Sequence, residues 1–265
     1  MNKQKKIAKR DVIAIVPAAG KATRLAALPC SKELFPIGFS HDPLGKATVA
    51  KPVCLYLLEK FRKANIKKCY IVLRKGKWDI PAYLGPGDIV DMDLGYLMMG
   101  LPYGTAYTID QAYPFVKDAN VAIGFPDILF SPDDAYTRIL DILDEQNADV
   151  VLGLFPADKP EKVDMVESGP DQLVKNIIIK PQQTELTSTW GIAVWTPGFT
   201  QFLHDYLRDL NTAPPDSELF IGHVIQAAIE QGLKVIAETV SESAYLDIGT
   251  PDDLLKAVTQ FGPAS

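Results

Sequence analysis

The chain has 265 residues, 47% of them hydrophobic and 23% charged, with 18 Gly, 20 Pro and 3 Cys. That balance belongs to a globular protein and excludes collagen-like, disordered, coiled-coil and disulfide-scaffold classes. Lys and Arg number 27 against 33 Asp and Glu, a net charge of −6, which is the wrong sign for coating nucleic acid and points to a small-molecule or protein partner.

A chain of this length can bury a sizeable core. One domain over residues 11–260, preceded by a basic tail over residues 1–10, is the expected organisation. Cys30, Cys54 and Cys69 lack the paired spacing of a zinc or redox motif, and their odd number argues against a disulfide framework. They read as reduced thiols of a cytoplasmic protein. The basic residues before the first apolar run mimic a signal peptide, but Asp11 interrupts the approach, the run is short, and Lys21 and Arg24 follow at once. No stretch approaches the roughly 20 apolar residues of a membrane span.

Val12 to Val16 is a β-branched run without strict alternation, as in a strand buried on both faces of a parallel sheet. Gly38 to Ala50 carries no pattern and reads as a lid or a plain surface loop. Cys54, Leu57, Leu58 and Phe61 recur at i, i+3, i+4 and i+7 and predict a helix, as do Tyr136, Ile139, Leu140 and Leu143. Tyr70 to Leu73, Val121 to Gly124 and Val150 to Leu154 read as strands around them. The alternation predicts βαβ units and an α/β fold with a mostly parallel sheet. From about Asp158 a smaller strand-rich subregion follows, with strands at Val174 to Ile179 and Trp190 to Trp195 and a helix around Phe220 to Ile229. The last helix is predicted to start at an N-capping Thr250, with Pro251 at its first position and Asp252 and Asp253 in its first turn.

Four places could carry chemistry. The small residues Ala18, Ala19 and Gly20 after the first strand allow backbone N–H groups to approach a phosphate, and Arg24 and Lys32 bring positive charge. This is not a Walker A loop, since Ala22 follows Gly20-Lys21 and Ile15 stands where the earlier glycine belongs. The three-glycine dinucleotide fingerprint is missing too. A tight turn with solvated charges is the alternative. Asp127 follows a central strand, where open α/β sheets bind ligands, although Asp also serves there as a cap or turn residue. Asp247 by itself reads as part of a structural turn, and Lys180 as a snorkelling surface cation. His41, His204 and His223 are scattered, so a His or Cys metal site is disfavoured and a hard cation on oxygen ligands stays open. No Gly-x-Ser-x-Gly elbow or other activated nucleophile stands out.

In their order these clusters resemble the sugar-phosphate nucleotidyltransferase family. Its Gly-Gly-x-Gly-Thr-Arg-Leu stretch corresponds to Ala19-Gly20-Lys21-Ala22-Thr23-Arg24-Leu25, its Pro-Lys to Ser31-Lys32 and its Leu-x-Pro to Leu34-Phe35-Pro36. Lys51-Pro52, Gly104-Thr105-Ala106, Pro126-Asp127, Lys180-Pro181, Gly191-Ile192 and Asp247-Ile248-Gly249-Thr250-Pro251 continue the match, which spans about Val12 to Ala257. The resemblance implies a Rossmann-like sheet and transfer of a nucleoside monophosphate from UTP or dTTP to a sugar 1-phosphate such as glucose 1-phosphate, with release of pyrophosphate. It implies Mg²⁺ on Asp127 and Asp247, and a catalytic set of Arg24, Lys32, Asp127 and Lys180. Ala18, Ala19, Gly20, Thr23, Arg24, Lys32, Met99 and Gly104 would contact the nucleotide, and Lys180 and Gly191 the acceptor. Neither nucleic acid nor membrane is an expected partner, and a homo-oligomer is compatible with the resemblance.

Three positions depart from the family. Ala22 replaces its third glycine, so backbone approach to a phosphate requires Ala22 to keep φ negative. Met99 stands where the family has a base-reading Gln, and Ile179 where it has a Glu that reads sugar hydroxyls. These departures support two further readings: a cytidylyltransferase for a non-sugar phosphate or phosphonate, which Pro17-Ala18-Ala19-Gly20 also resembles, and a non-catalytic nucleotide-sugar-binding regulatory module.

Overall fold

The computed structural model describes residues 10–25, 28–41, 47–100, 103–210 and 218–261. Of the basic tail, only Arg10 falls within them. The first half runs β1 (Val12–Pro17), β2 (Pro36–His41), β3 (Thr48–Pro52), α1 (Val53–Lys63), β4 (Lys68–Arg74), α2 (Asp79–Leu84), β5 (Asp93–Met99), α3 (Thr105–Asp110), α4 (Tyr113–Val116) and β6 (Asn120–Gly124). The second runs β7 (Ile128–Leu129), α5 (Ala135–Glu145), β8 (Val150–Pro156), β9 (Asp164–Ser168), β10 (Val174–Ile179), β11 (Ser188–Trp195), α6 (Pro197–Asp209), α7 (Ile221–Glu230), β12 (Val235–Thr239), β13 (Leu246–Asp247) and α8 (Pro251–Phe261).

β1 lies between β4 and β6, parallel to both, and β5 continues the parallel block beyond β4. β11 runs antiparallel to β6 and carries the block on to β8 and β9, with β12 parallel to β8 and β10 antiparallel to β9. These strands make one nine-stranded sheet. Helices cover both of its faces, so alternate residues of β1 enter different cores. Ile13 and Ile15 join Ile109, Phe199 and Val224. Ala14 and Val16 join Leu57, Phe61, Tyr136 and Ile139. Each large side chain buried in this way is worth about 1.5–3 kcal/mol, and burial on both faces explains the continuous apolar runs of β1, β6 and β8.

Gly38 to Ala50 is not an irregular loop over its described part. It forms the antiparallel hairpin β2–β3, in which Gly38 pairs with Lys51 and Phe39 with Ala50; residues 42–46 lie outside the described residues. The hairpin leans on α8, and a β-carbon at Gly38 would come within 2.5 Å of the Phe261 carbonyl oxygen. The start of α8 follows its sequence signal: the N–H of Asp253 donates to Thr250 Oγ1 at 3.3 Å, and the Thr250 hydroxyl donates back to Asp253 Oδ2 at 2.6 Å. Among the described residues no helix is long and apolar enough to cross a membrane.

Candidate active site

The parallel strands β1 and β6 end at the same edge of the sheet, and the segments after them meet there. After β1, the N–H of Ala18 is spent on the carbonyl of Val72 at 2.9 Å, and its side chain is buried. Ala18 therefore extends the sheet and does not line the ligand cavity, whereas Ala19 and Gly20 do. Ala22 adopts φ 52, in the left-handed region. The negative φ required of a residue replacing glycine is thus not kept, and the turn holds an alanine where glycine fits without cost. A short 3₁₀ turn, Thr23–Leu25, then presents Arg24; the side chain of Thr23 lies outside the described part of the structure.

A second 3₁₀ turn, Lys32–Leu34, is anchored from α2. Asp79 accepts hydrogen bonds from the Ser31 backbone N–H at 2.6 Å and the Ser31 hydroxyl at 2.7 Å. The turn splits its two charges. Lys32 points to Asp127 and makes an ion pair with it. Glu33 turns inward to an ion pair with Lys77 in which both residues are buried, 2% and 4% exposed. Burial opposes the charge of Lys32, but Asp127 more than offsets it, so the ammonium titrates above its ordinary value. Burial outweighs Glu33 at Lys77, whose ammonium is pulled down.

Asp127 follows β6, and Asp247 ends β13. The two meet because β13 pairs antiparallel with β7, Asp247 opposite Ile128, and the N–H of Ile248 donates to the Asp127 carbonyl at 3.0 Å. Burial and then the repulsion of Asp127 push Asp247 up to about 6, against the pull of Lys32 and Arg24. Asp247 Oδ1 is buried without a hydrogen-bond partner. Arg24 reaches the same point over Gly249, where a β-carbon would lie 2.9 Å from Arg24 Nη2 and 3.2 Å from Asp247 Oδ2.

Two adjoining cavities share this charged centre. The first, about 340 Å³, runs along Pro17, Gly20, Ala22, Arg24 and Lys32 to Gly104, Thr105 and Thr108. Gly104 has φ 115, and a β-carbon there would stand 2.2 Å from the Leu219 carbonyl oxygen. Only glycine fits, and it lets the segment with Glu218 and Phe220 close one wall. The second, about 260 Å³, shares Arg24, Thr105, Phe125, Asp127 and Phe220 with the first and continues to Lys162, Asp164, Lys180, Trp190, Tyr245 and Asp247. Lys180 has φ 44 and stands with Nζ 3.6 Å from the centre of the Phe220 ring. Burial pushes Asp164 up to about 6, with Lys180 and His223 opposing the shift.

Arg24, Lys32, Asp127, Lys180 and Asp247 are thus brought together from five separate segments. Met99 is not among the lining residues. It is buried in the core at the end of β5, its sulfur 3.4 Å from the Thr108 hydroxyl, which donates to the Gly104 carbonyl at 2.9 Å, and Thr108 reaches the cavity in its place. Gly191 is also absent from the walls. It lies beneath Tyr245, whose ring a β-carbon at 191 would approach to 3.0 Å, and Tyr245 lines the second cavity. Asp164, Lys162, Glu218 and Phe220 belong to the walls without having stood out in the sequence. None lies in a recognisable motif, and the chemistry-bearing signal of Asp164 exists only across a strand pair.

A cavity at the C-terminal strand ends of an α/β sheet, lined by cations and leading to two adjacent carboxylates, is the kind of site that suits the phosphate-ester class of ligand. The comparisons with known proteins narrow that class. The family model described as nucleotidyl transferase matches residues 13–262, and the chain belongs to that family. It is 27% identical over 252 residues to the bifunctional protein GlmU of Methanococcus maripaludis strain C5, covering 94% of this chain and 54% of that protein. It is 25% identical over 246 residues to the glucose-1-phosphate thymidylyltransferase of Streptomyces antibioticus, covering 92% of this chain and 64% of that one. The chain spans about half the length of the GlmU relatives it matches. Among solved structures, the fold superposes with a TM-score of 0.75 on a UDP-glucose pyrophosphorylase complexed with UDP-glucose, at 16% identity and over 95% of this chain and 98% of that one. A Bacillus anthracis protein described as a candidate glucose-1-phosphate thymidylyltransferase, solved with a sucrose, gives a TM-score of 0.81 at 19% identity, over 96% of each chain.

Proposed function

We propose that the chain transfers a nucleoside monophosphate from a nucleoside triphosphate to a sugar 1-phosphate, releasing pyrophosphate, with UTP or dTTP and a glucose 1-phosphate-like acceptor as substrates. The observation that carries this reading is the position of Arg24 and Asp127 in the walls of both cavities, with Lys32 beside them in the first and Asp247 in the second. A triphosphate laid along the first cavity and a sugar phosphate in the second would meet at that point. Attack of the acceptor phosphate oxygen on the α-phosphorus needs alignment and charge neutralisation and no covalent nucleophile. Arg24 and Lys32 would hold the triphosphate and stabilise the departing pyrophosphate, and Lys180 would hold the acceptor phosphate.

The centre also fits a divalent cation. Asp247 Oδ1 is buried and unpartnered, and burial, followed by the charge of Asp127 beside it, raises its affinity for protons. Among the described residues no group of three or more His, Cys, Asp or Glu side chains could hold a metal by itself. Two carboxylates completed by substrate oxygens are the donor set that suits Mg²⁺. Asp127 and Asp247 would hold the ion, which supplies neutralisation of phosphate charge when bound. Pyrophosphate release from a nucleoside triphosphate and glucose 1-phosphate in the presence of Mg²⁺ tests the reading. It should appear with the wild type and vanish with Asp127→Asn.

A further inference from the structure

The second cavity contains one acidic group that the proposed transfer leaves without a task. Asp164 opens β9, and its cross-strand partner in β10 is Ile179, so both side chains stand on one face of the ladder next to Lys180. Ile179 is apolar and cannot accept a hydrogen bond. The Asp164 carboxylate lines the cavity, and among the described residues it makes no ion pair or hydrogen bond of normal geometry. The indole Nε1 of Trp190, buried and itself unpartnered, faces it without reaching that geometry. The backbone has been kept clear for this carboxylate. A β-carbon at Gly222, in the first turn of α7, would stand 2.5 Å from Asp164 Oδ2 and 2.7 Å from Ile179 Cδ1. The walls around it are the rings of Phe125, Trp190, Phe220 and Tyr245.

We propose that Asp164 reads the acceptor substrate, its carboxylate accepting a hydrogen bond from a hydroxyl or ammonium group of the acceptor while Lys180 takes the acceptor phosphate. The proposal rests on the nucleotidyltransferase reading of the site. A half-buried carboxylate whose nearest donor, the Trp190 indole, lies outside hydrogen-bond reach is poorly satisfied in the empty cavity, and a ligand donor lowers that cost. The surrounding rings suit the apolar face of a sugar or the flank of an ammonium group. Hydroxyl and ammonium donors share this chemistry and differ in one respect: a carboxamide still accepts from a hydroxyl but no longer attracts a cation.

Calorimetric binding of UDP-glucose and dTDP-glucose, with UDP and dTDP as sugar-free controls, tests the assignment without turnover. Asp164→Leu should weaken whichever glucose nucleotide the wild type binds by about tenfold or more, and leave the matching diphosphate unchanged. Gly222→Ala, which crowds the same carboxylate, should act in the same direction. An unchanged ratio of glucose-nucleotide to diphosphate affinity in Asp164→Leu overturns the assignment. Pyrophosphate release with Asp164→Asn then separates the donors. A KM for glucose 1-phosphate within about threefold of wild type marks a hydroxyl, and a KM for ethanolamine phosphate raised by about tenfold or more marks an ammonium. Absence of pyrophosphate release from the wild type with every triphosphate counts against nucleotidyl transfer itself, and the Asp164 assignment is then decided by the binding ratio.

Discussion

Asp127 and Asp247, far apart in the chain, are joined through the backbone: the N–H of Ile248 donates to the carbonyl of Asp127 at 3.0 Å while Asp247 pairs with Ile128. The juxtaposition of the two carboxylates thus depends on a short ladder and not on their side chains. Asp127→Asn should therefore keep the fold, with an unfolding transition close to wild type, and lower turnover by about 10²-fold or more. Parallel measurement of denaturant unfolding and pyrophosphate release checks both halves. Wild-type turnover in this variant would contradict the role given to Asp127.

Ala22 at φ 52 is an alanine in a conformation that costs an L-residue about 1–2 kcal/mol. Ala22→Gly should stabilise the protein by roughly 1 kcal/mol, part of the gain being offset by the greater freedom of glycine in the unfolded chain. Urea unfolding reads the change directly. A loss of stability would show that the left-handed turn is not under strain.

The Glu33–Lys77 pair sits almost fully out of water, and Glu33 Oε2 has no partner. Removing one member leaves a buried charge uncompensated, so Lys77→Met should cost about 3–5 kcal/mol. The double variant Glu33→Gln/Lys77→Met should recover much of that loss. A double-mutant cycle of unfolding free energies measures the coupling, and simple additivity would contradict it.

Asp164 gives the unliganded protein a pH dependence of defined sign. Its folded pKa, about 6, lies above the ordinary 3.8. Between those values the folded state keeps a proton that the unfolded chain has lost, so this stabilisation is complete below about pH 4 and disappears as pH rises through about 6. Asp164→Asn should accordingly gain on wild type by about 1–3 kcal/mol between pH 4 and pH 7.5. Denaturant unfolding at the two pH values reads the difference, and a gap that narrows with rising pH would contradict the sign.

The strands buried on both faces were legible because their apolar runs were continuous, and the start of α8 because Thr250, Pro251 and Asp253 form a local cap. The pairing of β2 with β3 was not, since Pro36, Gly38 and Pro52 break the alternation and the pairing is satisfied against α8. Among the candidate site residues, Arg24, Lys32, Asp127 and Asp247 stood in turn sequences whose order resembled a known family. Asp164 and the Glu33–Lys77 pair were invisible for a physical reason: their environment comes from β10, α7 and the loop after β4, which no neighbouring residue announces. Met99 and Gly191 fell inside matched segments, but their positions in the core are decided by packing against Thr108 and Tyr245.

The most direct test is a single assay: pyrophosphate release by the wild type with Mg²⁺, each of the four nucleoside triphosphates, and a panel of sugar 1-phosphates and choline-type phosphates. Release with at least one sugar 1-phosphate, lost in Asp127→Asn, is the predicted result. Tight binding of a nucleotide sugar without release from any pair would contradict the account and leave the chain a binding module on a nucleotidyltransferase fold.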